Sequence, residues 1–149
     1  MGRGRGGYTQ ILLCYRDSGG YTVTDPGAVF IAERYMDQGY ESVFRQTHPP
    51  SRTYDLSIKS SNDLEFIKNI EVKRITSSNP SKIASRIKQG FSQFPEGRED
   101  TVAIYLPNHN NTETSRAFAR EGFYEAKRKG WVKGHVEIWF SDKTKIDME

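Results

Sequence analysis

Two strand-like runs, Thr53 to Ser60 and Leu64 to Ile75, stand back to back in this sequence with only Ser61-Asn62-Asp63 between them. The intervening Ser, Asn and Asp are turn formers, so the pair predicts a β-hairpin. No other feature constrains the fold as much, because a strand period of two assigns every side chain of both runs to one of two faces. A hairpin folded symmetrically about Asp63 sets Asp55 directly opposite Glu71. Residues so opposed have Cβ atoms roughly 4.5–5.5 Å apart. Lys73, two residues beyond Glu71, points the same way. One short stretch thus gathers two carboxylates and an ammonium on one face.

The rest of the chain supplies a frame for that hairpin. Ahead of it, Thr9 to Arg16 reads as a strand and Ser18-Gly19-Gly20 as a turn. Thr24-Asp25-Pro26 is a helix start signal, and a helix is predicted over Ala28 to Gln38 with Val29, Ala32 and Met36 on its core face and Gly39 as its stop. Tyr40 to Gln46 alternates like a strand until His48-Pro49-Pro50 breaks it. After the hairpin, Asn79 is a cap and Pro80 a first helical residue, with Ile83, Ile87, Phe91 and Phe94 as the core stripe. Thr101 to Leu106 is a short apolar strand of the kind buried on both faces. A helix from Ser115 to Lys129 and a strand from Val136 to Phe140 follow. The order β-α-β-β-β-α-β-α-β predicts an α/β (α+β) fold, a mixed central sheet flanked by helices. Residues 1–20 read as a basic arm plus first strand, and 21–149 as one domain; 149 residues suit a single core.

Composition narrows the chemistry. Eight Tyr, eight Phe and two Trp give the chain bulk to bury, while 28% charged residues and a net charge of +3 give it a wet, mildly basic surface. The single cysteine, Cys14, lies in an apolar run and reads as a buried strand residue, and three histidines beside it make a Cys/His zinc site a poor fit. No stretch approaches the roughly 18 apolar residues of a membrane span, and no signal peptide is expected. The arm Met1 to Gly7 holds two arginines and no acid, the pattern of a linker that touches phosphate at most in passing.

Two crowded carboxylates repel, and the pKa of one must rise unless something neutralises them. A hard divalent cation does so, because Mg²⁺ binds through one or two carboxylates, waters and a substrate phosphate. Asp55 and Glu71 are therefore candidate ligands for Mg²⁺ or Mn²⁺. The cation would activate a water and polarise a phosphoryl oxygen, and Lys73 would position the nucleophile or stabilise charge on the phosphate. A cross-strand Glu–Lys pair taken alone is more commonly a solvated salt bridge. Here, however, Glu71-Val72-Lys73 interrupts an otherwise apolar strand just before a capped helix.

Tyr54-Asp55-Leu56 and Ile70-Glu71-Val72-Lys73-Arg74-Ile75, with the order helix, three strands, helix, strand over roughly residues 28 to 106, resemble the core of the PD-(D/E)xK nuclease superfamily. The proline expected before the Asp is Tyr54 here. The resemblance implies metal-dependent phosphodiester hydrolysis by Asp55, Glu71 and Lys73. It also implies a supporting acid on the first helix, matched by Glu33, and a Gln on the helix after ExK, where Gln89 and Gln93 both qualify and Gln93 is favoured. More narrowly, Glu71-Val72-Lys73-Arg74-Ile75, the basic helix and the small size look like the C-terminal nuclease toxins of bacterial contact-dependent growth inhibition proteins, several of which cleave tRNA. That implies a secreted fragment delivered into a neighbour's cytoplasm and countered by a dedicated immunity protein, for which an acidic surface is the natural match to a basic active face. A DNA endonuclease of the same fold (repair, resolvase or restriction type) remains the alternative among enzymes. Outside them stands a nucleic-acid- or partner-binding module whose carboxylates only form salt bridges.

Other features are weaker. Lys82, Arg86, Gln89 and Gln93 form a polar stripe that suits a solvated helix face or, with Arg74, a substrate groove. Lys127-Arg128-Lys129 with Lys133 complements a helix C-terminus. Trp131, Trp139 and Phe140 read first as packing residues and second as stacking platforms. His48 and His109 are loop histidines, and the sequon at Asn110 has no secretory context to support it.

Overall fold

The computed structural model of the protein describes residues 15–45, 53–62 and 65–149. The strand expected over Thr9 to Arg16 lies, through residue 14, outside the described residues, as do Cys14, Gln46, His48 and Asp63, the expected centre of the hairpin turn. Arg16 makes an isolated bridge with Thr22. The first helix, α1 (Pro26–Asp37), starts as the Asp25-Pro26 signal predicts: the Asp25 carboxylate accepts from the Gly27 and Ala28 N–H groups. It stops before Gly39, whose φ of +93° is a conformation glycine adopts without strain. Its buried face is Ala28, Ile31, Ala32 and Tyr35. The expected Val29 and Met36 lie at the margin of that face, because the larger pair Ile31 and Tyr35 turns the helix toward the core.

Strands β1 (Tyr40–Phe44), β2 (Leu56–Ser60) and β3 (Phe66–Arg74) follow as an antiparallel set. The predicted register holds in the middle of the hairpin, with Leu56 opposite Ile70 and Ile58 opposite Lys68, and then shifts at Lys59, which pairs with Phe66. Helix α2 (Pro80–Phe91) is capped by the Asn79 side chain, which accepts from Ser81 N–H at 2.9 Å. Then come β4 (Thr101–Leu106), α3 (Glu113–Arg128), β5 (His135–Phe140) and β6 (Lys145–Met148).

All six described strands form one sheet in chain order, antiparallel from β1 to β3, parallel from β3 to β5 and antiparallel again at β6. The fold is thus mixed α+β, with three described helices on the two faces of a mixed sheet. Strand β6 is an addition to the predicted order. On one face, α1 packs over Leu56, Ile58, Ile70, Val72, Ala103 and Trp139. On the other, α2 and α3 cover Ile75, Val102, Ile104, Leu106, Val136, Ile138 and Phe140. The stripe Ile83, Ile87, Phe91 and Phe94 is buried as predicted, although Phe94 lies past the helix end. Burying each such side chain contributes roughly 1.5–3 kcal/mol.

Two glycines set how closely the helices approach. A Cβ on Gly90 would meet the Val102 side chain at 2.8 Å, and one on Gly122 would meet both Ile83 Cβ and the Pro80 carbonyl at 2.6 Å. Helix α2 is therefore pressed against β4 through one glycine and against α3 through the other. No helix of the described residues is long and apolar enough to cross a membrane.

Candidate active site

Alternation along β3 sends Ile70 and Val72 to the α1 face, and hence Glu71 and Lys73 to the face covered by α2 and α3. Asp55 sits at a bend just before β2, and its backbone N–H is taken by the Ile70 carbonyl at 3.1 Å. It therefore leaves the regular ladder rather than standing squarely opposite Glu71 as a symmetric hairpin predicts. The bend still brings the groups together. The Asp55 carboxylate accepts from Val72 N–H at 2.8 Å and lies within hydrogen-bonding range of the Glu71 carboxyl. On the other side, Lys73 Nζ is 3.3 Å from Glu71 Oε2.

This cluster is poorly solvated. Glu71 is only 5% exposed, and its Oε1 has no hydrogen-bond donor among the described residues. Burial, reinforced by the Asp55 charge, pushes the Glu71 carboxyl up to about 9, against the counter-pull of Lys73. Burial also raises Asp55, although the Val72 N–H works the other way. A free proton shared between the two acids, or a cation between them, is what satisfies such a pair. An orphaned buried carboxylate oxygen beside a second carboxylate fits a hard divalent cation. Among the described residues no group of three or more Asp, Glu, His or Cys side chains is arranged to hold a metal, so these two acids would have to bind with water and substrate completing the shell.

The opposite face of the sheet carries a second buried acid. Glu137, on β5, is 1% exposed. Lys68 Nζ lies 2.6 Å from its Oε2, the Tyr35 hydroxyl donates to the same oxygen, and Trp139 Nε1 donates to Oε1 at 2.9 Å. Lys145 Nζ stands 3.6 Å away. Burial alone would raise this carboxyl, but the Lys68 charge and the three donors outweigh it and hold it below its ordinary value. Sequence reading missed this group. Its only signal is a glutamate between Val136 and Ile138, which looks like a solvent-facing strand position.

The remaining candidates are dispersed. Glu33, on α1, accepts from the Tyr15 hydroxyl at 2.9 Å. The α1 acid whose charge reaches Asp55 is Asp25, the helix cap, and Glu33 lies about 12 Å further along the axis at 1.5 Å per residue. Gln93 is not on α2 as expected. The helix ends at Phe91, and Gln93 follows in a turn closed by its N–H to the Gly90 carbonyl. Gln89 is on the helix but exposed, accepting from Arg86 Nη1 at 2.9 Å. Lys82 is exposed on the same helix. Arg74 is exposed at the end of β3, on the α1 face near Gly27 and so on the other side of the sheet from Lys73. His109 packs edge-on against Phe118, its Nε2 without a partner among the described residues. Trp139 and Phe140 are core residues. The turn after α2 touches the site's border, because Phe94 stacks on Tyr54, the neighbour of Asp55, at 5.2 Å.

No protein-family model, no curated protein and no solved structure gives a significant match to this chain.

Proposed function

We propose that the protein is a metal-dependent nuclease that hydrolyses phosphodiester bonds of RNA, with tRNA the favoured substrate, at the Asp55–Glu71–Lys73 cluster. The observation that carries this reading is the buried Glu71 Oε1, with no donor among the described residues, next to Asp55 and with an ammonium on the other side of the carboxyl. Asp55 and Glu71 would hold Mg²⁺ or Mn²⁺, which when bound lowers the pKa of water and polarises a phosphoryl oxygen. Asp55 is kept in place by Val72 N–H, so its carboxylate meets the substrate in a fixed orientation. Lys73, tethered by Glu71 and partly exposed, orients the attacking water and offsets charge that builds on the phosphate. The succession of a helix, three strands, a helix and a strand from α1 to β4 supports the resemblance to PD-(D/E)xK enzymes.

The same reading makes the domain a bacterial toxin of the contact-dependent growth inhibition type, delivered to a target-cell cytoplasm and neutralised by an acidic immunity protein. Incubation with total RNA and with plasmid DNA, in Mg²⁺, Mn²⁺ or EDTA, tests the chemistry. RNA should be cut with metal and spared in EDTA; cutting of DNA alone would make it a DNA endonuclease, and no cutting of either would leave a binding module. Expression of the domain alone in bacteria tests the biology. Growth should stop, and Asp55→Ala should restore it; harmless accumulation of the intact wild type would exclude a toxin.

A further inference from the structure

We propose that the hollow around Trp131 seats one unpaired base of a single-stranded nucleic acid, with Lys88, Lys129 and Lys133 holding the phosphates on either side. The ends of α2 and α3 meet here. Gly130, with φ of +74°, reverses the chain after α3, and Trp131 N–H closes that turn on the Ala126 carbonyl at 2.9 Å. The half-buried indole has two lysines against it, with Lys88 Nζ and Lys129 Nζ each 4.9 Å from its ring centroid. Beside it is a hollow of about 230 Å³, walled by Lys88, Phe91, Ser92, Glu99 and Lys133.

Cations at the two helix ends offset the negative poles of the dipoles, which accounts for the sign of the charge. It does not account for an accessible indole set against them. An exposed ammonium over an aromatic ring gains a factor of roughly 2 to 5, whereas a stacked base gains roughly 5- to 150-fold. A base therefore displaces a lysine from the ring, and the released ammonium finds a phosphate within reach. Glu99, the one acid in the wall, suits the amino edge of a base. The turn after α2 joins this hollow to the acid pair: Phe91 and Ser92 wall it, and Phe94 stacks on Tyr54 beside Asp55. A strand laid over that turn runs from Trp131 to the site of cutting; this course, though not the seat itself, rests on the nuclease reading.

Fluorescence tests the proposal, because Trp139 is 1% exposed and leaves Trp131 as the accessible reporter. Wild-type protein in EDTA is titrated with eight-nucleotide oligo-C, oligo-dC and a duplex of the same length. Either single strand should quench Trp131, with the two arms separating RNA from DNA. Trp131→Ala should weaken single-strand binding by roughly 5-fold or more, and Trp131→Phe should keep most of the affinity. Lys88→Ala and Lys133→Ala should each weaken it by roughly 3-fold and lower the salt slope by about one. Absence of quenching at saturation, equal quenching by the duplex, or unchanged affinity in Trp131→Ala and both lysine variants overturns the proposal. Metal-dependent cutting without quenching would sink this seat and leave the active site standing; quenching without cutting would do the reverse.

Discussion

Glu71 and Glu137 are both glutamates buried in this sheet, each with a lysine beside it, and they are in opposite electrostatic states. Glu137 has two cations and two neutral donors, so its charge is answered and its carboxyl is held low. Glu71 has one cation, a competing acid and an oxygen with no donor among the described residues, and its carboxyl is pushed up to about 9. Burial is common to both and so decides nothing. What separates a structural charge from a poised one is whether the fold itself completes its partners.

Exchanging the two glutamates for glutamine is the largest test of that contrast. Glu71→Gln should abolish cutting, a loss on the order of a thousandfold or more, while raising stability without metal by about 1–3 kcal/mol at neutral pH, because the amide is neutral without the proton that the buried Glu71 carboxyl has to take up. Glu137→Gln should do the opposite. It strands Lys68, while Lys145 keeps Asp147 at 3.0 Å, and should cost about 3–5 kcal/mol, with the molecules that remain folded still cutting. Denaturant melts paired with an RNA cleavage assay read both effects. Should Glu71→Gln unfold the protein while Glu137→Gln is silent, the roles are reversed.

A smaller effect is the pH dependence of cation binding. The Glu71 carboxyl stands at about 9 in the fold against an ordinary 4.5, so the folded protein retains a proton that the unfolded chain gives up. The stability this contributes is complete below about 4.5 and is lost as pH rises toward about 9. A cation that replaces the proton should therefore stabilise more at pH 9 than at pH 6. At a hundred times its dissociation constant it contributes about 2.7 kcal/mol. Thermal melts with Mg²⁺ or EDTA at the two pH values should show this in the wild type and not in Glu71→Gln; an equal Mg²⁺ shift in the variant would place the cation elsewhere.

The smallest effect distinguishes Asp25, the cap of α1, from Glu33 within it. Asp25→Asn keeps the helix cap, since Asn caps about as well as Asp, but removes the charge that bears on Asp55. Cation affinity should fall a few-fold with stability nearly unchanged, whereas Glu33→Gln should leave affinity as it was. Calorimetric titration with Mn²⁺ measures both, and a larger loss in Glu33→Gln would restore that residue as the supporting acid.

Much of this was legible in the sequence because it is written in local signals. Asp25-Pro26, Asn79-Pro80 and Gly39 mark helix ends by backbone chemistry that acts over three residues. The middle of the hairpin obeys its turn, so convergence of Asp55, Glu71 and Lys73 followed from counting along two strands. What escaped is non-local. Glu137 finds its partners at Lys68 and Tyr35, 69 and 102 residues away. Strand β6 is four residues long, carries Lys145 and Asp147, and forms because Lys143 takes a positive φ of 72° to turn it back onto β5. The bend at Asp55 and the end of α2 before Gln93 were missed for a related reason: boundaries depend on what packs against them, here Phe94 on Tyr54.

The two glycines that seat α2 divide the molecule into what can drift and what cannot. With no room for a methyl group at Gly90 or Gly122, α2 has one depth and one spacing available to it, and so does the turn that follows. Its outer residues, Lys82, Arg86 and Gln89, meet no such restriction. Under the proposed nuclease function, substrate preference would be evolvable by exchange of single side chains along a stationary helix, with no need to disturb Asp55 and Glu71.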